Sequence, residues 1–405
     1  MTDMHPPRFL DRASPPHIAT LILLAGISAL AMNIFLPSLP GMAAYFDTEY
    51  RVLQLSVALY LGVNAALQIV MGPVSDRFGR RPLILGGLAI FLIATLGCIF
   101  AVNTLMFLIF RMFQATVVVA MVLSRAVVRD MVPEDQAASM IGYVTMGMAV
   151  VPMIGPTIGG ALDQMFGWQA SFWALFLLGA MVTWLAWRDL GETAPRSGQT
   201  LRQQIADYPE LLTSPRFWGY AMATALSSGA FFAYLGGAPF VGDRVFGLDP
   251  AVLGLYFGAP AVGYMLGSFI SGRFSMRLGV NRMVLWGSLI NATGIAVNLG
   301  LFYAGFGTPL TFFGLMTLMG LGNGMVIPNA TAGALSVRPH LAGTASGLSG
   351  ALMIGGGAAL SALAGLLLTP GSGAYPLLWI MLTTSLAGIA AIVLVIWRER
   401  RLALR

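Results

Sequence analysis

Arg111 and Gln114 stand three residues apart in TLMFLIFRMFQ, residues 104–114, a stretch otherwise almost wholly apolar. Positions i and i+3 share a helix face, so a guanidinium and an amide are presented side by side. A charge in the middle of an apolar span costs at least ~2.5–3.5 kcal/mol, so such a residue usually faces a cavity and marks function. The chemistry on offer is binding: a fixed cation that holds an anionic or hydrogen-bonding ligand. The plainer alternative is an arginine bonded to helix carbonyls. A second polar group, Asn33, lies in AMNIFLPSLP, residues 31–40. Its amide donates and accepts hydrogen bonds but takes no proton at physiological pH. It orients a ligand or Arg111, or else makes a helix-to-helix hydrogen bond worth about 0.6 kcal/mol in a membrane. Asn323 and Asn329 add two amides in GLGNGMVIPNA, residues 320–330. Tyr60, Phe231, Phe232, Tyr234, Tyr256 and Tyr264 either wall such a site or face lipid.

None of the sixteen acids falls in the middle of an apolar run. Asp163, at the end of one, is the nearest, and with Asp47 it is the candidate to take a proton. His5, His17 and His340 lie in polar tails or connections, and the lone Cys98 reads as a small packed residue. Without a nucleophile or ligand constellation in the apolar runs, neither an enzyme, a metal nor a cofactor is expected.

The elements that position these residues follow from composition. Of 405 residues 57% are hydrophobic and 9% charged, against about 25% charged in soluble domains. A membrane-crossing helix needs roughly 20 apolar residues. Such runs fall at 18–40, 52–73, 82–101, 104–124, 139–162, 168–187, 217–239, 252–272, 283–304, 309–332, 343–366 and 376–397. The expected architecture is an all-α membrane protein of twelve spans. The first span has no small-residue cleavage pattern and reads as retained. All 22 basic residues are arginine: nineteen fall on connections of one side, Arg51 and Arg244 on the other, and Arg111 within a span. Positive charge gathers on the cytoplasmic side, so both termini are expected there. The same asymmetry accounts for the net charge of +6 without nucleic acid.

The longest connection, 188–216, separates six spans from six, predicting an N-terminal bundle 1–190, a cytoplasmic linker 191–213 and a C-terminal bundle 214–405. The halves echo one another at an offset of 196: LY-x-G recurs at 59–62 and 255–258, and S-x-R-F at 75–78 and 271–274. Two parallel six-helix halves about a pseudo-two-fold axis form a transporter architecture.

Two motifs remain. GPVSDRFGRRP, residues 72–82, is a tight junction between two spans, and VVPMIGPTIGG, residues 150–160, places Pro156 among Gly155, Gly159 and Gly160. Pro156 breaks a helix hydrogen bond; the glycines permit close helix packing, an ordinary role in membranes. The first motif resembles the signature loop of the major facilitator superfamily. The resemblance implies gating roles for Gly72, Asp76, Arg77, Gly79, Arg80 and Arg81. It pairs Asp76, Arg77 and Arg80 with Asp130 in a charge cluster that latches the two halves, with Asp76 near a helix N-terminus of the other half. In the second copy Gly272 replaces Asp76, so the latch is asymmetric. The second motif is similar to the Gly-Pro antiporter motif of drug/proton exchangers in that superfamily. Arg111-x-x-Gln114, the Asn323 stretch and FLPSLP resemble the bicyclomycin and chloramphenicol resistance (Bcr/CflA) branch.

That resemblance implies a monomeric inner-membrane exporter working by alternating access, with drug and proton exchanged. It places Arg111 and Gln114 on the central cavity; Asn33, Asn323 and, as apolar walls, Tyr60, Tyr234 and Tyr256 are the further candidate substrate residues. The branch carries an aspartate where this chain has Asn33, which removes the expected proton carrier. A cavity with a fixed cation and no counter-charge favours neutral or anionic amphipathic compounds. A metabolite transporter without proton coupling is the competing reading.

Overall fold

The structure is a computed structural model that describes residues 9–12, 14–131, 151, 154–193, 209–338 and 342–403. Every regular element among the described residues is helical. Ten stretches are long and apolar enough to cross a membrane. We number the spans as they occur in the chain. Span one is Ile18–Tyr45, span two Tyr50–Met71, span three Arg80–Ile99, span four Thr104–Val128 and span six Gln169–Asp189. Span eight is Pro250–Leu278, span nine Val280–Tyr303, span ten Pro309–Ser336, span eleven Gly347–Leu367 and span twelve Tyr375–Arg401. Span seven is the helix Pro215–Phe240, of 26 residues. Thr224, Ser227, Ser228 and several glycines make it more polar than the others. The fifth expected span, 139–162, lies largely outside the described residues; a helix is described from 154 and runs past its expected end to 166.

Two spans break where polar residues sit, and the sequence supplies the cause. Span one is α-helical only to Asn33, then turns through a 3-10 segment, Leu36–Ser38, before resuming at Leu39. Pro37 stands four residues beyond Asn33, lacks an N–H and crowds the carbonyl it would otherwise bond. Span four is α-helical to Gln114, tightens over Ala115–Val117, and continues from Val118. There Thr116 donates its hydroxyl to the Phe113 carbonyl at 2.8 Å, competing with the helix ladder.

The repeat is visible as two hairpins. Gly79, at φ +93°, joins the helix ending at Phe78 to span three, and Gly279, at φ +82°, joins spans eight and nine. Left-handed φ at such a one-residue turn favours glycine. S-x-R-F aligns at 196 but the turn glycines are 200 apart, so the second copy carries one extra helical turn before its bend.

Spans three, four and six pack together beside spans one and two. Spans eight and nine sandwich ten, and span seven packs on eleven and twelve. Between these groups, span two packs along span eleven, and the 3-10 break of span one meets spans seven and eight.

Candidate functional site

Arg111 is 1% exposed and sits in the first group of spans. Its guanidinium lies between two rings, 4.2 Å from the centroid of Phe35 and 4.1 Å from that of Tyr60. One terminal nitrogen donates to the Ala31 carbonyl at 2.9 Å, and the other to Gln114 Oε1. Gln114 Nε2 donates to the Thr95 hydroxyl at 2.9 Å, which donates to the Phe91 carbonyl at 2.7 Å. Spans one, two, three and four thus converge on one cation. No carboxylate among the described residues pairs with it. Desolvated cation–π contacts are worth about 2 kcal/mol, so the two ring faces offset part of the cost of burying the charge.

Asn33, fully buried, donates its amide to the Ala29 carbonyl of its own helix at 2.9 Å. Arg111 is oriented by the neighbouring Ala31 carbonyl and not by the Asn33 side chain. Carbonyl bonding therefore accompanies the site residues instead of excluding them. The guanidinium expected to face water is closed over by Phe35 and Tyr60. Among the described residues Arg111 Nε and the Tyr60 hydroxyl beside it have no hydrogen-bond partner, and neither does Asn33 Oδ1, two positions along span one from Ala31. Unsatisfied buried groups are costly, and in native proteins each calls for a water, an ion or a ligand.

The remaining expected site residues separate into two further groups. Tyr234, buried with its hydroxyl unpartnered, packs on Phe257 at 5.3 Å and on Phe313 at 6.3 Å. Tyr256 stacks on Phe313 at 4.9 Å and lines a groove of about 490 Å³ with Ile154, Thr157 and Ile158. Phe231 stacks on Tyr234 at 6.4 Å and meets Phe232 at 5.9 Å, while Tyr264 stays half-buried. Asn323 belongs to a triad instead: Ser227 donates to its Oδ1 at 2.6 Å, and Asn291 approaches both at 3.4 Å. Asn329 donates to Ser271 at 2.7 Å and to its own helix.

The Gly-Pro motif lies against both groups of spans. Gly159 abuts the Ile34 carbonyl and Gly155 lies beside Leu30 and Asn33, both in span one. Gly160 abuts the Pro250 carbonyl, Gly254 abuts that of Pro156, and Thr157 donates to the Gly254 carbonyl at 3.0 Å, all across to span eight. Tyr50 and Gln54 escaped the sequence analysis. The Tyr50 hydroxyl donates to the Gly236 carbonyl at 2.8 Å, and Gln54 Nε2 donates to the Ser361 carbonyl. Their i, i+4 spacing at the start of an apolar run placed two polar groups on one face, and that signal was available.

Around the signature loop, Arg80 pairs with Asp130 at 3.1 Å and bonds Ser75. Arg77 is exposed, over Phe78 at 5.3 Å. Gly72 lies in the helix Leu55–Phe78, whose Asp76 side chain is outside what the structure describes. An unexpected carboxylate completes the cluster. Glu192 accepts the backbone N–H of Arg80 at 2.8 Å and of Arg81 at 3.3 Å. It fills the space that a Cβ on Gly79 would take. The Arg81 guanidinium donates to the carbonyls of Leu190 at 2.8 Å and Trp187 at 3.2 Å. These bonds tie the loop to the end of span six and the start of the linker.

Asp163 lies just beyond the expected fifth span and beside Ser38 in the break of span one. Its carboxyl is half-buried near Ser38. Asp47 is exposed. No cluster that could hold a metal ion occurs among the described residues.

A family model described as Major Facilitator Superfamily matches residues 21–348 and again 243–405. The chain is similar to multidrug resistance protein D of Escherichia coli (strain K12), 29% identical over 88% of this chain and 90% of the relative. It is also similar to a chloramphenicol resistance protein of Pseudomonas aeruginosa, 28% identical over 90% and 88%. Among solved structures, a bacterial homolog of the human lysosomal transporter Spinster, inward-facing and occupied, aligns with a TM-score of 0.72. It covers 95% of this chain and 96% of its own at 18% identity, a likeness of fold.

Proposed function

Because the chain belongs to the Major Facilitator Superfamily, and so is a multi-pass membrane transporter with drug-resistance relatives, we propose that it exports neutral or anionic amphipathic compounds. The observation that carries the reading is Arg111, a buried cation between Phe35 and Tyr60 with no carboxylate partner among the described residues and with its own Nε and the Tyr60 hydroxyl unsatisfied. A ligand acceptor takes hydrogen bonds from Arg111 Nε and the Tyr60 hydroxyl, and a ligand donor is met by Asn33 Oδ1. A cationic compound about 4 Å from the guanidinium would meet repulsion of ~4 kcal/mol at an effective dielectric of ~20. Tyr234 and Tyr256 supply apolar walls from the second half, and Gln114 holds Arg111 in place. Asn323, tied to Ser227 and Asn291, contributes through that triad.

Export proceeds by alternating access in the inner membrane, with both termini cytoplasmic. Halves 1–190 and 214–405 rock as units joined by the linker 191–213, and the protein acts as a monomer. The contacts of Tyr50, Gln54 and Gly160 across to the second half close one end and separate when the other end shuts. The loop of Gly72, Asp76, Arg77, Gly79, Arg80 and Arg81, with Asp130, and the segment of Gly155, Pro156, Gly159 and Gly160, control that exchange. Proton antiport is supported by the Gly-Pro motif and by Asp163, a half-buried carboxyl at the end of the fifth span. Asn33, in place of an acid, favours a second reading in which a compound or metabolite crosses without a proton. Uptake of a resistance-screen substrate into inverted vesicles, with the pH gradient clamped or collapsed, decides between the two. Flux that follows the gradient supports antiport, and flux indifferent to it supports the uncoupled reading. No flux of any anionic or neutral compound would remove the proposal.

A further inference from the structure

Span twelve ends in Trp397, Arg398, Glu399, Arg400 and Arg401. Its one carboxylate is already committed: Glu399 pairs with Arg216 at 2.8 Å and accepts from the Asn281 amide. Arg401 lies over the Trp397 ring at 4.0 Å. Among the described residues Arg398, Arg400 and Arg401 have no carboxylate partner, and all three are exposed. Beside them an apolar groove of about 460 Å³ runs between spans seven and twelve. Trp218, Met222, Leu394, Val395 and Trp397 wall it, and Arg398 completes the lining. The Trp218 indole N–H is held by the Leu212 carbonyl at 2.8 Å, so the ring is fixed as part of the wall.

We propose that this groove binds one anionic phospholipid, with its phosphate on Arg398 and an acyl chain against Met222, Leu394 and Val395. Charge complementarity selects the occupant. A groove with an apolar wall and a spare guanidinium suits a ligand with an apolar body and an anionic head. A zwitterionic lipid brings its own cation to the same arginines. Tryptophan rings settle at headgroup level in membranes, and Trp218 and Trp397 bracket the groove at the point where the arginines begin. Basic clusters directly after a spanning helix attract anionic lipids at about 1 kcal/mol per residue.

The test is native mass spectrometry of the full chain, stripped of lipid in mild detergent and offered phosphatidylglycerol or phosphatidylcholine with identical chains. About fivefold greater retention of phosphatidylglycerol is expected, the equivalent of one surface cation facing an anionic head. Arg398→Gln should erase that preference with an unchanged melting temperature in lipid-free detergent. Leu394→Trp, at an exposed position, should fill the groove and lower retention of both lipids. Equal retention by the unmodified protein, or a preference that survives Arg398→Gln, would overturn the site. So would competition by glycerophosphate as strong as that of the intact lipid, which would leave an anion site without a lipid slot. A dimer mass that excludes lipid would assign the groove to a second copy of the chain.

Discussion

Gln54 of span two occupies the space that Gly365 of span eleven leaves open by having no side chain: a Cβ on Gly365 would coincide with Gln54 Oε1. Gly236 of span seven bounds the same slot from the other side, where its Cβ would meet Gln54 Nε2 and the Ser361 hydroxyl. One amide thus reaches between two helices of the second half and ends on the Ser361 carbonyl.

Gly365→Ala should therefore expel Gln54 and loosen this contact. Overpacking of this kind costs typically ~1–3 kcal/mol, enough to shift a two-state equilibrium severalfold or more. The readout is alkylation of a cysteine placed at Ser361 in a Cys98→Ser background, which should rise in Gly365→Ala and fall back when Gln54→Ala is added. Unchanged labelling in both would remove Gln54 as a closing contact.

Arg111→Gln should lower export of anionic compounds about tenfold or more, the equivalent of ~1.4 kcal/mol. Arg111→Lys should recover only part of it. A lysine ammonium restores the charge but not the planar stacking or the forked donors. Export measured in an efflux-deficient host, for one anionic and one neutral substrate of similar size, separates charge from packing. Equal losses for the two substrates would count against an anion-binding role.

Asn33→Asp should introduce pH dependence and admit cationic compounds. It places a titratable carboxyl on the last residue of the helix before the break in span one, two positions from the Ala31 carbonyl that holds Arg111. Export of a cationic dye, followed across the neutral pH range, checks this. A variant that stays indifferent to pH and still rejects cations would show that the site has been misread.

Asp163→Asn should abolish the dependence of uptake on the pH gradient if that carboxyl takes the transported proton. Uptake into inverted vesicles, with the gradient imposed or collapsed, reads this. Gradient-driven uptake that survives the substitution would confine Asp163 to a structural role.

Much of the site was legible in the sequence because polar residues are rare in these runs. Arg111, Gln114, Asn33 and Tyr60 each stood out by type, and the structure brings Arg111 onto Gln114 and Tyr60 directly. Asn33 was legible by position but not by partner, since its amide turns back to Ala29. Glu192 was not legible. It lies in a polar connection among many polar residues, and only folding carries it 112 positions back to Arg80. Ser227 and Asn291 were missed for a related reason: single small polar residues in long helices are common, and nothing in one dimension says which of them converge.

By itself the sequence determined that the chain is a helical, multi-pass transporter of its family, because those conclusions rest on run length against bilayer thickness and on contiguous motifs. The breaks in spans one and four were not read from it, although Pro37 and Thr116 stand at the two points. Only the tertiary structure decided what those breaks are for. The Ala31 carbonyl reaches Arg111 across 80 positions, and Gln54 reaches Ser361 across 307. Such contacts depend on which helix faces meet at what depth, a property of packing in three dimensions that no local pattern along the chain encodes.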